Sequence, residues 1–346
     1  MNLKALIRPS IAAMKPYSSA RDEFQSQDNN LVFLDANESP FQNDLNRYPD
    51  PQQILLKTKL ATLKQVLPDQ ILLGNGSDEV LDLLCRAFCE PNQDAVLTLT
   101  PTYGMYGVLA NLNAIENQAV TLNSKFQIKI DDVLKAIQSN TKMIFICSPN
   151  NPSGNLLDTK AIEGILEAFG GLVVIDEAYI DFTDSKSWIE RLSEFPNLVV
   201  TQTLSKAYGL AGIRLGICYA STDIISVLNK IKPPYNINLL TQNAAFEGIS
   251  NQENTKKQID MILSEREKLI QNLNNLSFVK TIFPSDANFI LIRVDDANMR
   301  YTQLIAKGII VRNRHGQPLC DHCLRITVGT PEENLKLIQA LQNILL

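Results

Sequence analysis

Histidine is nearly missing from this chain: His315 and His322 are the only two among 346 residues. A Ser-His-Asp hydrolase centre on the large domain has little to draw on, and the commonest general base is absent from the first 314 residues. Excess positive charge is missing too. The chain has 32 Lys and Arg against 37 Asp and Glu, a formal charge of -5 and a pI near 5.3, so no field gathers nucleic acid or an anionic membrane. No uninterrupted apolar run approaches the roughly 20 residues of a membrane span. The opening stretch "MNLKALIRPSIAAMKPYSSARDEF" has neither a long apolar core nor the Arg/Ser-rich, acid-poor character of a transit peptide. The protein reads as cytoplasmic, and its six cysteines are expected as reduced thiols rather than a disulfide scaffold. Nucleotide loops of the form G-x-x-x-x-G-K-[S/T], or G-x-G-x-x-G after a first strand, do not occur.

What is present is an alternation of short apolar runs and amphipathic stretches. "AVLTLT" (95–100), "KMIFIC" (142–147), "GLVVID" (171–176) and "NLVVTQ" (197–202) are near-continuous apolar strands, as expected where helices cover both sheet faces. The segments 78–88 and 158–169 carry helical spacing between them. The pattern predicts an α/β fold with a mostly parallel sheet. "IRLGICYA" (213–220) follows its predecessor too closely for a crossover helix and is expected to run antiparallel. A helical stretch over 238–275 reads as a connection to a smaller α+β C-terminal domain. There "FVKTIFPSDANFILIRV" gives two strands around a turn, and "YTQLIAKG", "IIVRN" and "LRITVG" give helix, strand and strand. The last helix opens on Thr330, Pro331 and Glu333, the makings of a capping box with proline at its first position. The expected division is an arm over 1–37 packing on the small domain, a large domain over 38–240 and a small domain over 241–346.

Four polar signals fall at or just beyond strand ends, where open α/β sheets present ligand sites. They are "GNGSDE" (74–79), "SPNNPSG" (148–154), "DEAY" (176–179) and "TLSKAYGLAGIR" (203–214). Together they match the needs of pyridoxal phosphate. Lys206 offers an amine for the cofactor's aldehyde, and Asp176 a carboxylate to keep its ring nitrogen protonated. Asn151 and Tyr179 offer donors to its phenolic oxygen. Gly76 and Ser77 lead into a helix N-terminus that can hold a phosphate, with Thr203, Ser205 and Arg214 as further donors. Asp78 and Glu79 in that first turn would repel the phosphate if they faced it. Tyr103 could lay its ring on the cofactor face. Each motif alone has a plainer reading: a turn, a cap, a solvated lysine or a surface aromatic.

The order and spacing of "NPSG", "DEAY", "SK" and "GLAGIR", with 25 residues from Asn151 to Asp176 and 30 from Asp176 to Lys206, resemble the fold-type I aminotransferases that use pyridoxal phosphate. The resemblance runs over essentially the whole chain and implies a seven-stranded sheet between helices in the large domain. "KPY" (15–17), "DANESP" (35–40), "NRYPD" (46–50), "GIIVRN" (308–313) and "LRITVGTPEEN" (324–334) are similar to the histidinol-phosphate aminotransferase family. That likeness implies histidinol phosphate and 2-oxoglutarate or glutamate as substrates. It gives Arg325 to the substrate's anionic group, and Tyr17, Asn37 and Arg312 to the rest of the pocket. It also implies that Tyr48 reaches the cofactor phosphate of a neighbouring subunit, and hence a homodimer with shared active sites. Aromatic amino-acid aminotransferases and threonine-phosphate decarboxylases on the same scaffold remain the alternatives. "CDHC" (320–323) has C-x₂-C spacing, but no complete zinc ligand set accompanies it and no metal is expected.

Overall fold

A computed structural model describes residues 2–17 and 32–343. Two sheets organise it. The larger has seven strands: β1 (Ile71–Asn75), β2 (Ala95–Thr100), β3 (Glu116–Thr121), β4 (Thr141–Cys147), β5 (Leu172–Asp176), β6 (Leu198–Thr203) and β7 (Leu215–Ala220). Their order is β1-β7-β6-β5-β4-β2-β3. From β3 through β6 all pairs are parallel, whereas β7 is antiparallel to both β6 and β1. Every residue of β5 and β6 is buried, because helices cover both faces and leave no solvated side. The smaller sheet has four strands, β8 (Val279–Ile282), β9 (Phe289–Val294), β10 (Arg312–Asn313) and β11 (Cys323–Thr327), ordered β10-β11-β9-β8 and antiparallel throughout.

One face of the smaller sheet packs on its own helices, with Leu324, Ile326, Ile290 and Ile292 in a core completed by Leu269, Leu273 and Leu337. The other face turns toward the large sheet: Leu291 and Cys323 join the large core, and Phe289 packs with Tyr179 and Ala207. This face matters for the site. The last helix, Pro331–Gln342, starts with the expected capping box: Thr330 Oγ1 accepts from the Glu333 amide, and the Glu333 carboxylate accepts from the Thr330 amide.

Two expectations need correction. The arm was expected on the small domain, but its described first turns lie on the large one. Leu3, Leu6, Ile7 and Ile11 make an apolar stripe that packs beside the core around Phe88. Arg8 fixes the stripe: its amide donates to the Ala87 carbonyl at 3.0 Å and its guanidinium pairs with Glu90 at 3.3 Å. The connection over 238–275 is two helices, Leu239–Ser250 and Gln252–Asn274. Asn251 separates them, its side chain accepting from the Asn254 amide to cap the second. Ala245 and Ile249 of the first helix belong to the large core, so the change of partner falls near Asn251 rather than at residue 240. Among the described residues no helix is long and apolar enough to cross a membrane.

Candidate active site

Strands β2, β4, β5 and β6 end at the same edge of the sheet, and the loops beyond them converge there. Between them lies a cavity of about 130 Å³, lined by Gly76, Ser77, Asp78, Tyr103, Cys147, Asn151, Asp176, Ala178, Tyr179, Thr203, Ser205, Lys206, Ala211 and Arg214. Every residue assigned above to the cofactor lines it, except Tyr48.

Asp176, the last residue of β5, is 3% exposed. Its Oδ2 accepts from the Tyr106 hydroxyl at 2.8 Å and its Oδ1 from the Ala178 amide at 3.1 Å. Burial pushes its pKa up, and the two donors pull it back. Among the described residues no cation pairs with it, so the charged form lacks the counter-charge that burial demands. Lys206 sits in the turn after β6, its Nζ 5.8 Å from the centre of the Tyr179 ring. Desolvation at the cavity wall, then repulsion from Arg325, lowers its pKa, which favours the neutral, nucleophilic amine.

Opposite, the helix Ser77–Phe88 begins at the cavity. Gly76 has φ +81°, and a Cβ there would stand 2.6 Å from Arg214 Nη2. Gly216 is equally constrained, since a Cβ would meet the Ser77 amide nitrogen at 2.2 Å. Gly76 keeps the space between helix N-terminus and guanidinium open, a cradle for an anion, and Gly216 lets β7 approach the helix start. Thr203 Oγ1 donates to the Leu215 carbonyl at 3.0 Å and lies 3.0 Å from Ser205 Oγ. Arg214 makes one long bond, Nη1 to the Ala211 carbonyl at 3.4 Å. The two acids of the first turn each have partners within the chain. Asp78 accepts from the Tyr103 hydroxyl at 3.1 Å and so orients that ring. Glu79 accepts from the Asn75 amide and from Asn236 Nδ2.

The small sheet closes the other side. Arg325 Nη1 donates to Asn151 Oδ1 at 2.5 Å, while Asn151 Nδ2 lies 3.5 Å from the Tyr179 hydroxyl. Arg325 is stacked 5.1 Å from the centre of the Phe289 ring, and burial lowers its pKa. Its Nε is buried without an acceptor. Arg312 is exposed and stands opposite Arg325 in the β10–β11 register. The remaining residues are not brought in: Tyr17 is 72% exposed, while Asn37 and Tyr48 line a separate depression with Glu38 and Arg47. There the Tyr48 ring stacks on Tyr235 at 4.5 Å.

Residues 29–341 match the family described as aminotransferase class I and II. The chain belongs to that family. It is 59% identical over 343 residues to the histidinol-phosphate aminotransferase of Christiangramia forsetii, covering 99% of this chain and 98% of that protein. It is also 59% identical over 341 residues to the protein of the same name from Flavobacterium psychrophilum, with the same coverage of 99% and 98%. The crystal structure of histidinol-phosphate aminotransferase from Sinorhizobium meliloti in complex with pyridoxal-5'-phosphate superposes with a TM-score of 0.80. That match covers 87% of this chain and 84% of that one at 24% identity, a likeness of fold.

Two residues of this aminotransferase escaped the motif reading. Tyr106 is fully buried, stacked on Phe145 at 5.0 Å, and its hydroxyl holds the Asp176 carboxylate. The signal was the pair of tyrosines in "TPTYGMY": Tyr103 lies in the loop before the helix Met105–Leu112 and Tyr106 in its first turn, their rings meeting edge to face at 5.6 Å. The second is Arg314, two residues beyond Arg312 along the β10 direction. Cys320 and Cys323 are buried, and the His322 amide donates to His315 Nδ1 at 3.1 Å. Among the described residues no group of three or more His, Cys, Asp or Glu could hold a metal ion.

Proposed function

We propose that the chain transfers the amino group between L-histidinol phosphate and 2-oxoglutarate, giving imidazole acetol phosphate and glutamate. In histidine biosynthesis it runs from glutamate to histidinol phosphate. The observation that carries this reading is the juxtaposition of a lysine amine of lowered pKa and a buried, cation-less carboxylate with guanidiniums that lack acid partners. The relatives named above bring the substrate. The residues fit pyridoxal 5'-phosphate: the Asp176 carboxylate lacks a cation, and the cradle beside Gly76 would be filled by a single Cβ.

When bound, the cofactor supplies an aldehyde that bonds amines and a ring that draws electrons from the attached carbon. Asp176 contributes a negative charge where the ring nitrogen needs one, and Tyr106 holds that carboxylate in place. Asn151 and Tyr179 offer donors to the ring's oxygen, and Tyr103, oriented by Asp78, covers its face. The helix N-terminus at Ser77, with Thr203, Ser205 and Arg214, binds the phosphate. Lys206 Nζ is then the base: tethered beside the substrate and poor in proton affinity, it takes the proton from the substrate's Cα. Arg325, with Arg312, holds the substrate's anionic end. Its planar fork serves both the carboxylate of glutamate and the phosphate of histidinol phosphate.

The reading makes the protein a homodimer in which Tyr48 completes the partner's site. Leu34, Phe41, Leu45, Tyr48 and Leu240 support it, all more than half exposed and apolar around the depression that Tyr48 lines or next to it in sequence. A cytoplasmic home suits the six free thiols. The test is turnover of L-histidinol phosphate against phenylalanine and threonine phosphate by purified holoenzyme with 2-oxoglutarate. Preference for histidinol phosphate with glutamate formed is expected. Preference for phenylalanine, or carbon dioxide released from threonine phosphate, would replace the reading.

A further inference from the structure

Arg314 continues the β10 ladder by donating its amide to the Cys323 carbonyl at 2.9 Å. Arg312 faces Arg325 in that ladder, and Arg314 is two residues further on, so all three side chains leave the same face of the small sheet. That is the face of Leu291 and Phe289, the one turned toward Tyr179 and the large domain. The Arg314 Nε is buried and has no acceptor, and among the described residues its guanidinium makes no hydrogen bond or ion pair. Burial lowers its pKa to about 10, and Arg325 and Arg312 push in the same direction.

A fold gains nothing from a half-buried guanidinium beside two others unless an anion joins them. A carboxylate carries one charge and fits one planar fork, which Arg325 supplies. A phosphate monoester carries nearly two charges at neutral pH and three acceptor oxygens, more than one fork can satisfy. Resting on the transaminase reading above, we propose that Arg314 is a third substrate-binding arginine, engaged by the phosphate of the amine substrate and not by the α-carboxylate of glutamate. It is then the residue that separates the two anions one pocket must accept. Arg325 is common to both half-reactions, and Arg314 serves one.

The test uses full-length holoenzyme carrying Arg314→Gln, assayed with L-histidinol phosphate, with L-histidinol and with glutamate. Losing a charged hydrogen bond predicts a rise in KM for L-histidinol phosphate of about tenfold or more, with kcat within about threefold. KM for L-histidinol and glutamate should stay within about twofold of the parent. Inorganic phosphate, as an inhibitor competitive with glutamate, should weaken by a similar factor to histidinol phosphate. An equal rise for phosphorylated and unphosphorylated amines, or no rise for either, overturns the proposal. Arg314→Lys keeps the charge and loses the fork, so it should fall between parent and Gln variant, and it carries the test if the Gln variant does not fold. If the parent enzyme leaves L-histidinol phosphate unchanged, the functional reading fails, while the phosphate inhibition constants still decide the role of Arg314.

Discussion

The two walls of the cleft are finished differently. On the large-sheet wall the acids already have partners within the chain: Asp176 with Tyr106 and Ala178, Asp78 with Tyr103, Glu79 with Asn75 and Asn236. On the small-sheet wall the cations are left open. Among the described residues Arg325 has a single side-chain bond, to Asn151, and Arg314 has none through its guanidinium. A wall whose groups are fixed in advance suits one resident molecule that is the same in both half-reactions, because nothing need reorganise when charge moves. A wall of unpaired guanidiniums suits ligands that come and go with different anions.

That contrast can be broken from either side. The largest effect is expected from the open wall: Arg325→Ala should lower kcat/KM about 100-fold for both histidinol phosphate and glutamate, by loss of a charged hydrogen bond shared by both. The bound cofactor's absorbance should persist. Loss of cofactor without a change in kinetics at saturating cofactor would put Arg325 on the wrong wall. A smaller effect is expected from the finished wall. Tyr106→Phe removes the hydroxyl that stabilises ionised Asp176, so the carboxyl pKa rises further, cofactor affinity and kcat each fall about tenfold, and the acid limb of the pH profile moves to higher pH. Cofactor titration by absorbance and a pH series read these out, and an unmoved acid limb would reduce Tyr106 to packing.

The smallest effect concerns Glu177, buried next to Asp176 but facing away from the cavity toward Ser187, Trp188 and Gln202. Burial raises its pKa from 4.5 to about 7 despite those three donors. Between those values the folded protein holds a proton that the unfolded chain releases, so this group's contribution to stability falls as pH rises through the window and is flat above it. Glu177→Gln should flatten the melting temperature between about pH 5 and 7 relative to the parent. Parallel melting curves would show that Glu177 titrates as an ordinary carboxylate.

The finished wall was largely readable from residues in order. Asp176, Lys206 and Asn151 sit at strand ends that continuous apolar runs announce, and their spacing is fixed by the length of a βα unit. Tyr106 was hidden because its hydroxyl looks like any aromatic's until its helix is placed against β5. The open wall was less readable. Arg314 acquires meaning only when the β10–β11 register shows which face it shares with Arg312 and Arg325. Two edge elements were missed for related reasons: β3 is polar and half-exposed because only one strand borders it, and β1 is a five-residue run ending in "GN". "IIVRN" shrank to Arg312–Asn313, the two residues that pair with Arg325 and Leu324 of β11. The arm's destination was unreadable from its own stripe, which specifies an apolar partner without saying which core supplies it.

Both walls presuppose a covalent anchor at one amine, and Lys57 is the natural rival, a buried lysine whose pKa is lowered to about 8 by desolvation and by Lys232. Borohydride reduction of cofactor-saturated protein, followed by peptide mass spectrometry, separates them. The account predicts one cofactor adduct, on the peptide that contains Lys206. An adduct on Lys57 alone, or none with cofactor in excess, would contradict it.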